Sequence, residues 1–157
     1  MKIWRTRKPN RQEGFDYSNP HSYFVTICAK DKFELFGKVI DAKIKLSAVG
    51  KIVRDAILRI SILYPHVIIY SSVVMPNHIH MIIRICRGGN LPPEPPTLSQ
   101  VVGHFKRSVS IEAGYSPWQK SFHDHIIRDE AGFNKISVYI ENNVKTWRDD
   151  CFYPKRV

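Results

Sequence analysis

Met75-Pro76-Asn77-His78-Ile79-His80 places two imidazoles two positions apart at the head of an apolar run. Alternate side chains of a strand share a face, so an extended backbone here aims His78 and His80 to one side and turns Ile79 to the other. Such a pair serves as two ligands of a zinc site, as part of a divalent-ion site for phosphodiester chemistry, or as no metal site at all. Spacing does not choose among these. Near the C-terminus, Tyr139 and Asn143 lie four residues apart in a helical pattern and so stack on one face, at the edge of its apolar stripe. A tyrosine there is boundary packing or a nucleophile, and its position alone leaves both open.

The chain around these residues has 157 positions and 43% hydrophobic content, enough for one domain, 1–157, with a core of its own. Against 14 Asp and Glu stand 24 Lys and Arg, a formal charge of +10, and a compact domain of that charge accumulates polyanions through its field. Residues 1–14 carry Arg5, Arg7, Lys8 and Arg11 around Trp4 without periodicity, which reads as an arm for phosphate contacts or a solvated end. Cys28, Cys86 and Cys151 are widely spaced, with no Cys-x-x-Cys pair, a usage that fits thiols in a reducing compartment better than a disulfide framework. The start has no apolar signal region and no run approaches membrane-spanning length, so the expectation is a cytoplasmic protein, at the nucleoid when bound to DNA, without a membrane partner.

The elements that must position the candidates follow from periodicity. Ser22 to Ala29 is aromatic and β-branched and predicts a buried strand, and Gly37 to Ile40 a short second one. After Ser47 as N-cap, Val49, Ile52, Val53, Ala56, Ile57 and Ile60 repeat at helical spacing. His66 to Val74 and His78 to Ile85 are two strands of a hairpin, with Pro-Asn as turn chemistry between them. Residues 88–96, with two glycines and four prolines, admit neither helix nor central strand and form a surface connection. A helix from Leu98 to Ala113 stops at Gly114 and exposes His104, Lys106 and Arg107, and Ser121 to Arg128 is a further strand. The last helix is expected from Glu130 to Trp147 on the stripe Phe133, Ile136, Ile140, Val144 and Trp147.

This order is not the strict alternation of a doubly wound parallel sheet. It predicts an α+β, ferredoxin-like antiparallel sheet with helices packed on one face and a C-terminal helix carrying the tyrosine. No Gly-rich dinucleotide or Walker motif is present.

Three segments together resemble the HUH-type single-strand transposases with one tyrosine, in particular the REP-associated tyrosine transposases and the IS200-like family. They are Ser22-Tyr23-Phe24-Val25-Thr26-Ile27, Val73 to His80, and Trp118 to Arg128 followed by Val138-Tyr139-Ile140-Glu141-Asn142-Asn143. The resemblance implies that His78 and His80 hold a catalytic Mg²⁺ or Mn²⁺, that Tyr139 is the nucleophile, and that Asn143 completes the metal site. It offers His125 as a contact to the scissile phosphate, although a histidine holding a strand in place accounts for that residue equally. Relatives have Asn-Pro where this chain has Asn143-Val144, and valine would let the helix continue towards Trp147.

The implied activity is a metal-dependent single-strand DNA endonuclease and strand transferase, a DNA transposase. Its substrate is single-stranded or hairpin DNA, and Arg5, Arg7, Lys8, Arg11, Lys106 and Arg107 are candidate backbone contacts. Relatives act as homodimers or monomers. A tyrosine hydroxyl titrates near ~10 and needs a polarised, positioned target, which a divalent ion on the phosphate supplies. Two other readings remain: a domesticated DNA-hairpin binding protein without cleavage activity, and a zinc hydrolase, which needs a third strong ligand that Asn143 does not provide.

Overall fold

The computed structural model describes residues 21–155; Arg5, Arg7, Lys8 and Arg11, and the expected arm with them, lie outside the described residues. Strand β1 runs Ser22–Cys28, β2 Gly37–Ile40, β3 Lys43–Leu46, β4 Val67–Val74, β5 His78–Ile85 and β6 His123–Ile127. Helices α1 (Ala48–Leu63), α2 (Leu98–Ala113) and α3 (Glu130–Asn142) separate or follow them. The main sheet has the order β4-β5-β1-β6, antiparallel at every junction. This is the expected α+β, ferredoxin-like arrangement, with the β2–β3 hairpin inserted before α1.

The two faces of the sheet do different things. Tyr23, Val25 and Ile27 of β1 and Ile79, Met81 and Ile83 of β5 join Val53 and Ile57 of α1 and Val101 and Phe105 of α2 in the larger core. On the opposite face Ile82 and Ile127 meet Ile140, Phe133 and Ile136 of α3. Helices α1 and α2 therefore cover one face, and α3 crosses the other over β4 and β5.

Register is what aims the histidines. Ile79, Met81, Ile83 and Ile85 are fully buried, and each such side chain contributes roughly 1.5–3 kcal/mol of transfer free energy. A slip of one residue would exchange the faces and lose that burial, so β5 is held with His78 and His80 on the α3 side. The cross-strand partners there are Cys28↔His78 and Thr26↔His80.

Local signals account for most boundaries. Ser47 caps α1 by accepting from the Gly50 amide, and Thr97 with Gln100 forms a reciprocal capping box on α2. Gly114, at φ 81°, ends α2 in the left-handed conformation that glycine adopts at no cost. Gly50 is required for a different reason: a Cβ there would sit 1.9 Å from the Phe36 carbonyl oxygen.

Two expectations are corrected. Strand β3, Lys-Ile-Lys-Leu, goes unnoticed in the sequence because its partner turn, Asp41-Ala42, has positive φ at both residues without a glycine. The last helix ends at Asn142 rather than reaching Trp147. Asn143 is its C-cap, and a 3-10 turn at Trp147–Asp149 follows. Valine at 144 does not extend the helix, because burying Trp147 within 6.0 Å of the His78 ring turns the chain back across the sheet.

Candidate active site

His78 and His80 project from β5 into the space under the end of α3, with 0% and 2% of their surfaces exposed. Their Nε2 atoms face each other at 3.1 Å. What fixes this orientation is the hydrogen bond each ring makes with its other nitrogen. His78 Nδ1 lies 2.8 Å from Asn77 Oδ1, and Asn77 spends its Nδ2 donors on the carbonyls of Phe152 and Lys32. The Asn77 oxygen must therefore accept, and His78 Nδ1 must carry the proton. Thr26 Oγ1, 2.8 Å from His80 Nδ1, anchors the second ring and is compatible with the same tautomer, since a hydroxyl both donates and accepts.

Without a cation, a neutral His80 with its proton on Nε2 can donate to His78 Nε2 while Thr26 donates to His80 Nδ1; when Thr26 accepts from His80 Nδ1, both Nε2 lone pairs point at one place. Burial lowers His78 from 6.5 to about 4, with the Asp150 carboxylate and, less, the hydrogen bond that a protonated ring would donate to Asn143 pulling the other way. Burial and the neighbouring His78 lower His80 to about 3. At neutral pH the rings are uncharged donors converging on one point, the state a cation site needs.

The third group comes from beyond the helix. Asp150 Oδ2 is 3.9 Å from His78 Nε2 and its side chain is 1% exposed; with His78 neutral this is not an ion pair. Among the described residues, ligand atoms of His78, His80 and Asp150 lie within 4.8 Å of one another. Asn143, 1% exposed, donates Nδ2 to Asp150 Oδ2 at 2.8 Å, and its Oδ1 is buried without a hydrogen-bond partner among the described residues. A buried orphan acceptor, a buried carboxylate and two facing lone pairs fit a divalent cation, since each alone carries a desolvation cost that a cation offsets. The Phe152 amide donates to Asp150 Oδ1, and the Phe152 ring lies 4.4 Å from that of His78.

Tyr139 is 41% exposed and reaches the same place from α3. Its ring centroid is 5.5 Å from His80 and 6.2 Å from Phe24, edge-on, within one chain. Burial raises its hydroxyl above the ordinary value of 10, and the Asp150 carboxylate and Cys151 thiol add to this while a hydrogen bond with Asn143 opposes it. Asp150 is thus the negative group that a cation between them would offset.

Of the residues expected from sequence, His78, His80, Tyr139 and Asn143 converge. His125 is exposed on β6 and is the cross-strand partner of Phe24, so it shares the sheet face of the site. Lys106 and Arg107 stand on α2, across the sheet. The Lys106 ammonium donates to the carbonyls of Gln119 and Ser121, and Arg107 lines an outer hollow with Arg59 and His104. Sequence reasoning missed Asp150, Asn77 and Thr26. Asn77 and Thr26 lie inside the segments that carry the resemblance, but no periodicity links Asp150 to residues so distant in the chain.

No protein-family model matches the chain. An uncharacterized protein of Haemophilus influenzae is 33% identical over 167 aligned residues, covering 94% of this chain and 93% of that protein. A solved structure described as a REP-associated tyrosine transposase bound to a REP hairpin aligns with 99% of this chain and 78% of its own, at 20% identity and a TM-score of 0.63, which shows that the fold is shared. A crystal structure from Deinococcus radiodurans, 14% identical over 84% of this chain and 95% of that one, has a TM-score of 0.46, too distant for argument. Among the described residues no helix is long and apolar enough to cross a membrane.

Proposed function

The chain belongs to one family with the Haemophilus influenzae protein, and we propose that it is a divalent-metal-dependent DNA transposase that cleaves and rejoins single-stranded or hairpin DNA through Tyr139. One observation carries the reading: a phenol from α3 lies 5.5 Å, ring to ring, from an imidazole pair whose Nε2 atoms converge at 3.1 Å. Likeness in fold to a tyrosine transposase bound to hairpin DNA supports it.

His78 and His80 would hold Mg²⁺ or Mn²⁺ through Nε2, with the Asp150 carboxylate and Asn143 Oδ1 completing the set. The ion supplies Lewis-acid polarisation of the scissile phosphate and relief of the Asp150 charge beside the phenol. Tyr139 Oη attacks phosphorus, its proton leaves to water on the exposed side of the ring, and the bond from phosphorus to the 3′-oxygen breaks. A 5′-phosphotyrosine and a 3′-hydroxyl result, the latter taking its proton from water. Because the phosphotyrosine keeps the energy of the broken linkage, a second 3′-hydroxyl reverses the step and joins a different strand. Phe24, Thr26 and the Asn77 amide act by position: they set the face, the ring orientations and the distance at which the phenol meets its target. A single chain carries all of these groups, which supports Tyr139 acting in cis, whether the protein is a homodimer or a monomer.

Asp150 supplies the third strong ligand that a zinc hydrolase requires, so ligand count no longer separates the two chemistries. The phenol does. The test is a labelled hairpin oligonucleotide incubated with the protein and Mg²⁺, Mn²⁺ or Zn²⁺, then resolved under denaturing conditions. A covalent adduct with Mg²⁺ or Mn²⁺ that vanishes in Tyr139→Phe is expected. An adduct that survives the substitution removes Tyr139 as nucleophile, and hydrolysis with Zn²⁺ without an adduct establishes the hydrolase. Tight hairpin binding without cleavage under any metal establishes the binding protein.

A further inference from the structure

Helix α3 packs over β4 and β5, so β1 and the edge strand β6 carry the part of that sheet face from which a DNA strand can reach Tyr139. Two imidazoles stand there that the reaction above does not use. His123 and His125 are both exposed on β6, on the face of Thr26 and Phe24, their cross-strand partners. No hydrogen bond or ion pair among the described residues engages either ring.

Register separates the two. Thr26 has His80 as its partner on one side and His123 on the other, so the three stand in one row across the sheet, with about 10 Å between the outer strands at ~4.8 Å each. Thr26 is the small member of that row, and its hydroxyl is turned to His80 Nδ1, 2.8 Å away. The two imidazoles therefore flank a gap above one short side chain. In the next row Phe24 fills the corresponding gap between Ile82 and His125, its ring edge-on to Tyr139 at 6.2 Å. The phenol, 5.5 Å from His80 ring to ring, reaches a phosphate over Thr26 from the His80 side. In an in-line displacement the leaving oxygen departs opposite the nucleophile, and the opposite side of this gap belongs to His123.

A 3′-alkoxide is a poor leaving group, because an alcohol holds its proton about as tightly as water, at ~15.7. A proton delivered while the bond breaks removes that obstacle, and imidazole is the side chain suited to deliver it near neutral pH. We propose that His123 is the proton donor to the leaving 3′-oxygen, an inference that rests on the cleavage chemistry proposed above. As Tyr139 Oη bonds to phosphorus, the bond from phosphorus to the 3′-oxygen breaks and its electron pair, left on that oxygen, takes the imidazolium proton; the neutral ring recharges from water. In rejoining, neutral His123 accepts the proton of the incoming 3′-hydroxyl while that oxygen attacks phosphorus, and Tyr139 departs, regaining its proton from water.

The experiment replaces with sulfur the bridging 3′-oxygen at the position of the labelled hairpin that the wild type cuts. A thiol titrates near ~8.5, so its thiolate leaves without a proton donor. With the full chain and Mn²⁺, His123→Ala should form the adduct about 100-fold more slowly than the wild type on the oxygen-linked strand, and at nearly the wild-type rate on the sulfur-linked one. Hairpin binding by anisotropy and Mn²⁺ affinity by calorimetry should match the wild type, while His125→Ala should show no rescue by sulfur. Equal slowing on both strands, or slowing on neither, overturns the assignment. So does rescue confined to His125→Ala, or a loss of hairpin or Mn²⁺ binding that accounts for the whole effect. A wild-type adduct without rescue of the variant sinks His123 alone; no wild-type adduct on either strand sinks the transposase reading and His123 with it.

Discussion

Acidification should destabilise the metal-free protein through the two buried imidazoles, by an amount the structure allows to be worked out. His78 and His80 titrate at about 4 and about 3 in the folded chain, against 6.5 without burial. Between 6.5 and those values the unfolded chain binds protons that the folded chain refuses, so stability falls as pH falls. Above 6.5 the contribution is complete. At pH 5 both folded rings are still neutral, and the loss is set by the distance from 6.5, about 1.5 pH units at ~1.36 kcal/mol each, or about 2 kcal/mol per ring. Together the pair costs about 4 kcal/mol, a large fraction of the 5–15 kcal/mol typical of a domain. Urea unfolding in EDTA at pH 8 and pH 5, followed by the fluorescence of the buried Trp118 and Trp147, measures it. The double variant His78→Gln/His80→Gln should keep only the slope due to other groups. Equal pH dependence in the variant and the wild type would refute the buried, neutral state on which the metal site depends. Saturating Mn²⁺ should steepen the wild-type dependence, since ion and proton compete for the same Nε2 lone pairs.

Removing the Thr26 hydroxyl by Thr26→Val should weaken Mn²⁺ binding about 10–100-fold in calorimetry, because His80 loses the partner that anchors its ring; unchanged affinity denies Thr26 that role. Gly50→Ala forces a methyl into the Phe36 carbonyl and should cost about 1–3 kcal/mol in urea unfolding. Since the Phe36 amide donates to the Pro76 carbonyl, in the turn before His78, the same variant should also lower Mn²⁺ affinity. Wild-type stability in Gly50→Ala would mean that the contact between α1 and Phe36 relaxes freely.

Signals carried by a few neighbouring residues were legible in the chain. The aromatic and β-branched content of β1 and β5, the Ser47 cap and the Gly114 stop located those elements, because strand propensity and capping are properties of short stretches. The same locality puts His78 and His80 on one face, and Tyr139 with Asn143 one turn apart on another element. Strand β3 escaped because its alternate residues are lysines that stay in water and its turn lacks glycine.

The end of α3 escaped for a deeper reason. Nothing between Asn143 and Thr146 breaks a helix by itself; the helix stops because the fold offers Trp147 a buried place against His78 and the Asp150 carboxylate a hydrogen bond from Asn143. Asp150 gained its place in the site by the same docking, and Asn77 gained its role from carbonyls at Lys32 and Phe152, far away in the chain. Residue types and faces are written locally, in propensity and period. Which buried polar atoms meet, and therefore which of them can share a cation, depends on desolvation costs that exist only once distant segments have packed together.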